Sequence, residues 1–372
     1  MNILSSEKSQ NRAAAVPPGT SLYLDVVRFS AAMVVLLGHA SGRLLTGGFL
    51  WQLGGYLQTA VIVFFVLSGF VISSVLIHRE KDPVTYARQR VARIYSVVIP
   101  ALVLTAVCDA IGLSFNPDLY YNGPWSYPVD NQVLRYLLTF FLLNQTWIFP
   151  DMAPGINTPF WSLSFEAFYY VFVGLIFFSS GILRIISIIF LSMIAGPTIL
   201  SLFPIWMLGF FVYRFGHGRT ISQSRGVVVA GIGLVLLLIS PFIRAMLPNY
   251  FGYDLLHRDG LMGDYVDAIA FSLHLYGVMC CDGWFERKLR GMSGTIRWFG
   301  SLTFALYLFH RPLIQLFAAL PLAEPTAWLQ RLYLLGGTFL VVATLGRRCE
   351  LWKFSISAGL SALRYRLAVG RP

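Results

Sequence analysis

The chain has 372 residues, 56% of them hydrophobic and only 12% charged, and its mean hydropathy of +0.67 excludes a soluble globular domain of that length. The formal net charge of +11 does not point to nucleic acid, because the basic residues stand in short loops between apolar runs, where the preference for cytoplasmic Lys and Arg already accounts for them. The four cysteines, Cys108, Cys280, Cys281 and Cys349, lack CxxC or zinc-like spacing, so neither a disulfide framework nor a metal site is expected. What remains is an all-α polytopic membrane protein.

Residues 1–21 are polar and rich in Ser, Ala and Pro, and read as a flexible cytoplasmic tail without the apolar stretch of a signal peptide. Apolar runs able to span, or nearly so, follow at 22–42, 57–77, 94–114, 161–178, 182–196, 198–215, 226–247, 264–282, 298–320 and 328–345, with a marginal one at 134–148. Basic groups follow the second run (Arg79, Lys81, Arg88, Arg90, Arg93), the sixth (Arg214, Arg219, Arg225), the eighth (Arg287, Lys288, Arg290, Arg297) and the last (Arg347, Arg348, Lys353 and beyond). All four groups belong in the cytoplasm. An even number of crossings is then needed between the first two groups, so the short run 134–148 is read as an external re-entrant or interfacial segment. The expectation is a bundle of about ten spans with both termini cytoplasmic, a membrane domain over 22–345 and a basic cytoplasmic tail over 346–372.

The first run carries Asp25, Arg28 and His39. Arg28 and His39 are eleven positions apart, roughly three helical turns or about 16 Å along the axis, which puts them on one stripe with Asp25. Ionisable groups are costly in hydrocarbon, so a helix with such an edge lines a cavity rather than lipid. With the amino terminus inside, His39 lies near the external surface and Arg28 deeper. The run that starts Trp161-Ser162-Leu163-Ser164-Phe165-Glu166 enters from outside and brings Glu166 to the depth of His39, as a histidine base and its carboxylate partner would require. The alternative is that each is a helix-bridging polar residue, but ionisable groups inside a membrane are functional by default, and the functional reading is preferred for both.

Further along, Arg90 and Arg93 share one helix face, and paired guanidinium groups suit phosphates, although arginines at a cytoplasmic end need no ligand to explain them. Ser68 and Gly69 allow close approach of a helix or an elongated ligand, with helix packing the plainer reading. In Tyr307-Leu308-Phe309-His310-Arg311-Pro312 a histidine, an arginine and a proline interrupt an apolar helix, and Pro312 withholds a backbone donor so that a neighbouring carbonyl can face a cavity. Asp264, Asp267 and His274 are lesser candidates, the two carboxylates as caps of their helix. Tyr120, Tyr121, Trp125, Tyr127, Trp147 and Trp161 offer surfaces for sugar rings, against the commoner explanation of an interfacial aromatic belt.

Together these segments resemble the acyltransferase-3 family of integral membrane acyltransferases, which includes O-acetyltransferases of bacterial surface polysaccharides. The resemblance is carried, in order, by the Arg28-to-His39 spacing, Phe64-Phe65-Val66-Leu67-Ser68-Gly69-Phe70, Arg90 to Arg93 with Ile94-Tyr95, Trp161 to Glu166, and Tyr307-Leu308-Phe309-His310. One departure is that Pro100 stands five residues after Tyr95, where members often place a proline directly after the tyrosine. The resemblance implies ten spans, acyl-CoA as cytoplasmic donor and an essential first-helix histidine. On that reading a bacterial inner-membrane enzyme passes an acyl group, acetyl first among them, from acyl-CoA to a hydroxyl of an exopolysaccharide or a lipid-linked glycan. Arg90, Arg93, Ser68 and Gly69 would serve the donor; His39, Glu166 and Arg28 would act in catalysis; and His310, Tyr307, Trp161, Ser164 and Asp25 would line the cavity. A covalent acyl-histidine is equally compatible with these residues. The rival class is a proton-coupled transporter or flippase for an anionic or glycan substrate, and a third is a non-catalytic partner in polysaccharide export.

Overall fold

The structure, a computed structural model, describes residues 16–216, 218, 221–248 and 259–369. Among the described residues there is no strand. Among them, the helices of seven residues or more are α1 (Pro18–Ala40), α2 (Leu57–His78), α3 (Pro83–Phe115), α4 (Gln132–Phe140), α5 (Trp161–Phe178), α6 (Gly181–Gly216), α7 (Gln223–Leu238), α8 (Ser240–Met246), α9 (Leu261–Cys280), α10 (Asp282–Leu289), α11 (Ser293–Ala319), α12 (Trp328–Val341) and α13 (Arg347–Val369).

Among the described residues, seven helical stretches are long and apolar enough to cross a membrane: Pro18–Ala40, Trp51–His78, Pro83–Phe115, Thr158–Phe178, Gly181–Gly216, Asp282–Ala319 and Trp328–Ala362. The pair α7 and α8, bent by 58°, makes up to eight. This is fewer than the ten separate spans expected, for visible reasons. The runs 182–196 and 198–215 form one helical element broken at Gly196, whose φ of 79° is open to glycine and strained for any side chain. The run 264–282 forms the 20-residue α9, whose Asp264, Asp267 and His274 lower its hydropathy. The marginal run 134–148 yields only the nine-residue α4, about 14 Å long and too short to cross.

The expected tails are also corrected. Helix α1 begins at Pro18, a residue whose fixed φ suits a first helical position, so residues 18–21 are helical. The basic stretch from 347 is the 23-residue α13, reached from α12 through a π-helical turn at Val342–Gly346. Residues 1–15 and 370–372 of those tails lie outside the described residues.

The chain forms two compact units. One holds α1 up to Arg28, residues 61–86, and residues 201–300. Its packing uses small residues where backbones meet: a Cβ on Gly69 of α2 would strike the Trp206 carbonyl of α6, and one on Gly209 would strike the Val66 carbonyl. Without a hydrophobic driving force inside lipid, such close contact is what holds helices together. The other unit holds α1 from Phe29, residues up to 60, residues 87–200, and the chain from Ser301. Leu36, Val98, Phe165, Tyr169, Leu306 and Phe309 are buried in it, and the Tyr169 hydroxyl donates to the Ile199 carbonyl at 2.7 Å.

Candidate active site

The second unit brings together the histidines of the first-helix motif and of the Tyr307-to-Pro312 motif. His39 stands in the last turn of α1, and His310 is fully buried in α11. Their rings lie 5.1 Å apart, with His310 Nε2 3.2 Å from His39 Nδ1. His39 Nδ1 also faces the Val35 carbonyl at 3.0 Å, and His310 Nδ1 faces the carbonyls of Tyr307 at 2.8 Å and Leu306 at 3.2 Å. A carbonyl oxygen only accepts, so each Nδ1 carries a proton. His310 Nε2 is then an acceptor that shares the His39 Nδ1–H with Val35. His39 Nε2 keeps its lone pair and makes no hydrogen bond among the described residues. That is the tautomer a general base needs, fixed by the partner on the opposite nitrogen.

The wall beside this pair comes from the loop before α5. Pro312 has no N–H for the carbonyl of Leu308 four residues back, and the Asn157 side-chain amide fills the gap, donating to Leu308 at 2.9 Å and to the Thr105 hydroxyl at 2.8 Å. Asn157 is fully buried. One residue on, the Thr158 hydroxyl accepts from Arg311 Nη1. Ile156 N–H donates to Asp109 Oδ2 at 3.3 Å, and Asp109 is itself buried in α3. The Asn157-Thr158 pair thus grips α11 on both sides of His310. Trp125 meets His39 edge-on at 5.8 Å and carries the Arg311 guanidinium over its face at 4.5 Å. The expected aromatic stretch therefore reaches the histidine through Trp125.

Glu166 is not the partner of His39, whose hydrogen bonds go to Val35 and His310. Glu166 instead accepts from the Tyr170 hydroxyl one turn along α5. Arg90 lies over the Tyr170 ring at 5.7 Å, and Arg90, Arg93 and Glu166 all act electrostatically on the Tyr170 hydroxyl. Tyr170 is thus the residue that Glu166 and Arg90 both touch. Close by in sequence, Arg88 donates to Ser361 of α13 at 2.7 Å. Tyr307 accepts from Ser162 at 2.9 Å and Ser164 donates to Asn144 at 2.7 Å, so these cavity candidates bind α5 to its neighbours, while Trp161 packs on Phe165 within α5 at 5.1 Å.

The remaining candidates lie in the first unit. Asp25 and Arg28 pair at 3.3 Å along α1, and Arg297 also donates to Asp25. Gly69 is a packing position, with the half-buried Ser68 beside it. Asp264 and Asp267 do not cap α9: both are fully buried and both pair with Arg244, at 2.6 and 2.7 Å, while Ser240 donates to Asp267.

Asn157, Thr158 and Asp109 were missed from the sequence. Only the orphaned carbonyl was legible: a proline within a helix demands a donor at the fourth residue back, but nothing in the pattern says where that donor comes from.

Among the described residues the protein is helical, with several membrane-length helices and two imidazoles in contact, His39 half-buried and His310 buried. The chain belongs to the acyltransferase-3 family, whose acyltransferase-domain model matches residues 21–347. It is 38% identical over 116 residues to acyltransferase MdmB of Streptomyces mycarofaciens, covering 30% of this chain and 27% of that protein. It is 22% identical over 355 residues to peptidoglycan O-acetyltransferase OatA of Listeria monocytogenes, covering 82% of this chain and 51% of that protein. The chain thus spans about half, or less, of the length of these curated relatives. No solved structure matches it.

Proposed function

We propose that the protein transfers an acyl group, acetyl in the first instance, from acyl-CoA to a hydroxyl of a surface or lipid-linked glycan, with His39 as general base. The observation that carries this reading is the tautomer of His39: Nδ1 is committed to Val35 and His310, and Nε2 holds an uncommitted lone pair. The acceptor hydroxyl gives its proton to Nε2 as its oxygen attacks the thioester carbonyl, and the resulting imidazolium returns that proton to the departing CoA thiolate. His310 positions the ring. The name of the OatA relative supports both the acetyl group and a glycan acceptor.

Arg90 and Arg93 would bind the CoA phosphates, and Glu166 and Tyr170 would hold that pair in place. Arg28, held by Asp25, would steady the donor route electrostatically. With its basic loops in the cytoplasm, the protein would sit in a bacterial inner membrane with both ends inside, taking its donor from the cytoplasm. The test is label transfer from [1-¹⁴C]acetyl-CoA to the glycan fraction of membranes bearing the wild-type or the His39→Ala chain. Wild-type membranes should label glycan and His39→Ala membranes should not; equal labelling overturns the reading.

A further inference from the structure

We infer that Arg311 receives the negative charge that acyl transfer places on the carbonyl oxygen of the acyl group. This rests on the reading of His39 as general base and adds an electrostatic partner to it.

Arg311 follows His310 directly in α11. Its side chain spends one nitrogen on the neutral Thr158 hydroxyl and lays its plane over the Trp125 ring at 4.5 Å. Its Nε is buried and makes no hydrogen bond. No carboxylate pairs with it among the described residues, whereas Arg244 holds two and Arg28, Arg135 and Arg297 each hold one. The guanidinium is half-buried with its Nε fully enclosed, and a charge held there without a counter-ion is costly; in membrane proteins such groups mark functional sites. Neither the hydroxyl nor the indole supplies a negative charge. An anion is therefore the missing partner, and Trp125, which contacts both Arg311 and His39, places it beside His39.

The proposed chemistry makes such an anion once per turnover. When the acceptor oxygen bonds to the thioester carbon, the carbonyl π pair moves onto its oxygen while the hydroxyl proton moves to His39 Nε2. A second positive charge then appears beside Arg311, and the oxyanion formed in the same step balances it while giving Arg311 its partner. Collapse restores the carbonyl, breaks the carbon–sulfur bond and sends the proton from His39 to the thiolate. A guanidinium aimed at charge that exists only in this interval stabilises the transition state and not the bound donor. The unused Nε–H is a donor already free of water.

The test uses CoA thiol release from acetyl-CoA by the full chain in its own membranes, with the His39→Ala chain as baseline. Arg311→Gln should lower kcat by about 10²–10³ with KM for acetyl-CoA within about twofold. Arg311→Lys, which keeps charge but not the fork, should lose less. Methylguanidinium should restore part of the rate to Arg311→Ala and none to His39→Ala. Where Arg311→Gln fails to accumulate, the Lys and rescued Ala variants carry the test. Wild-type kcat in Arg311→Gln overturns the inference, as does a defect confined to KM or absence of rescue. A defect that vanishes when water replaces the glycan as acyl acceptor would assign Arg311 to a fixed anion on the acceptor and also overturn it. Activity in His39→Ala would instead overturn the general-base reading itself.

Discussion

Two histidines inside apolar helices, one in each unit, have been put to opposite uses. His274 in α9 binds the Ala230 carbonyl through Nδ1 at 2.8 Å and the Tyr23 hydroxyl through Nε2 at 2.5 Å, so both nitrogens are spent on helix contacts. His39 also has Nδ1 on a backbone carbonyl, yet its Nε2 is left open. Arginines repeat the contrast: Arg244 is neutralised by Asp264 and Asp267, while Arg311 has only a hydroxyl and an indole. An ionisable residue in a membrane helix is therefore not a site by virtue of its type. What separates bridge from site is whether the last lone pair or charge is already matched within the fold.

The comparison can be broken most sharply at the two histidines. His39→Ala should lower acyl transfer by about 10²–10⁴, the usual worth of a general base, with unchanged detergent-resistant folding. His274→Ala should leave kcat within about threefold and lower thermal stability instead; matching activity losses at the two positions would erase the distinction. Next in size, His310→Ala should lower kcat by about 10–10² with KM for acetyl-CoA unaffected, because only the orientation of the base is lost. Arg90→Ala should do the reverse, raising KM for acetyl-CoA about tenfold, or about 1.4 kcal/mol, at nearly constant kcat. A kcat effect there would move the arginine pair from donor binding into chemistry. Smallest on activity, Asn157→Ala strands the Leu308 carbonyl released by Pro312 and should cost about 1–3 kcal/mol in thermal unfolding. Pro312→Ala in the same background supplies the missing N–H and should recover much of that loss.

The sequence made the helical class and the main motifs readable, because hydropathy, loop charge and the Arg28-to-His39 spacing are local properties of the chain. The boundary between the runs 182–196 and 198–215 falls at the Gly196 break for the same reason, and the shortness of 134–148 was legible too. What the sequence did not carry was azimuth. Depth along two helices pairs Glu166 with His39 but leaves open which faces meet, and Glu166 accepts from Tyr170 instead. His310 and Asn157 reach the site from positions 271 and 118 residues beyond His39, and only folding discloses that adjacency. Asp264 and Asp267 looked like caps because Arg244, their partner, sits in a run that reads as apolar.

The open lone pair on His39 is most directly examined by solid-state ¹⁵N NMR of histidine-labelled protein in bilayers at neutral pH, with the His39 signals assigned by difference from His39→Ala. His39 should show a protonated Nδ1 and a bare Nε2. A protonated Nε2 with a bare Nδ1 would contradict the assignment of His39 as the base.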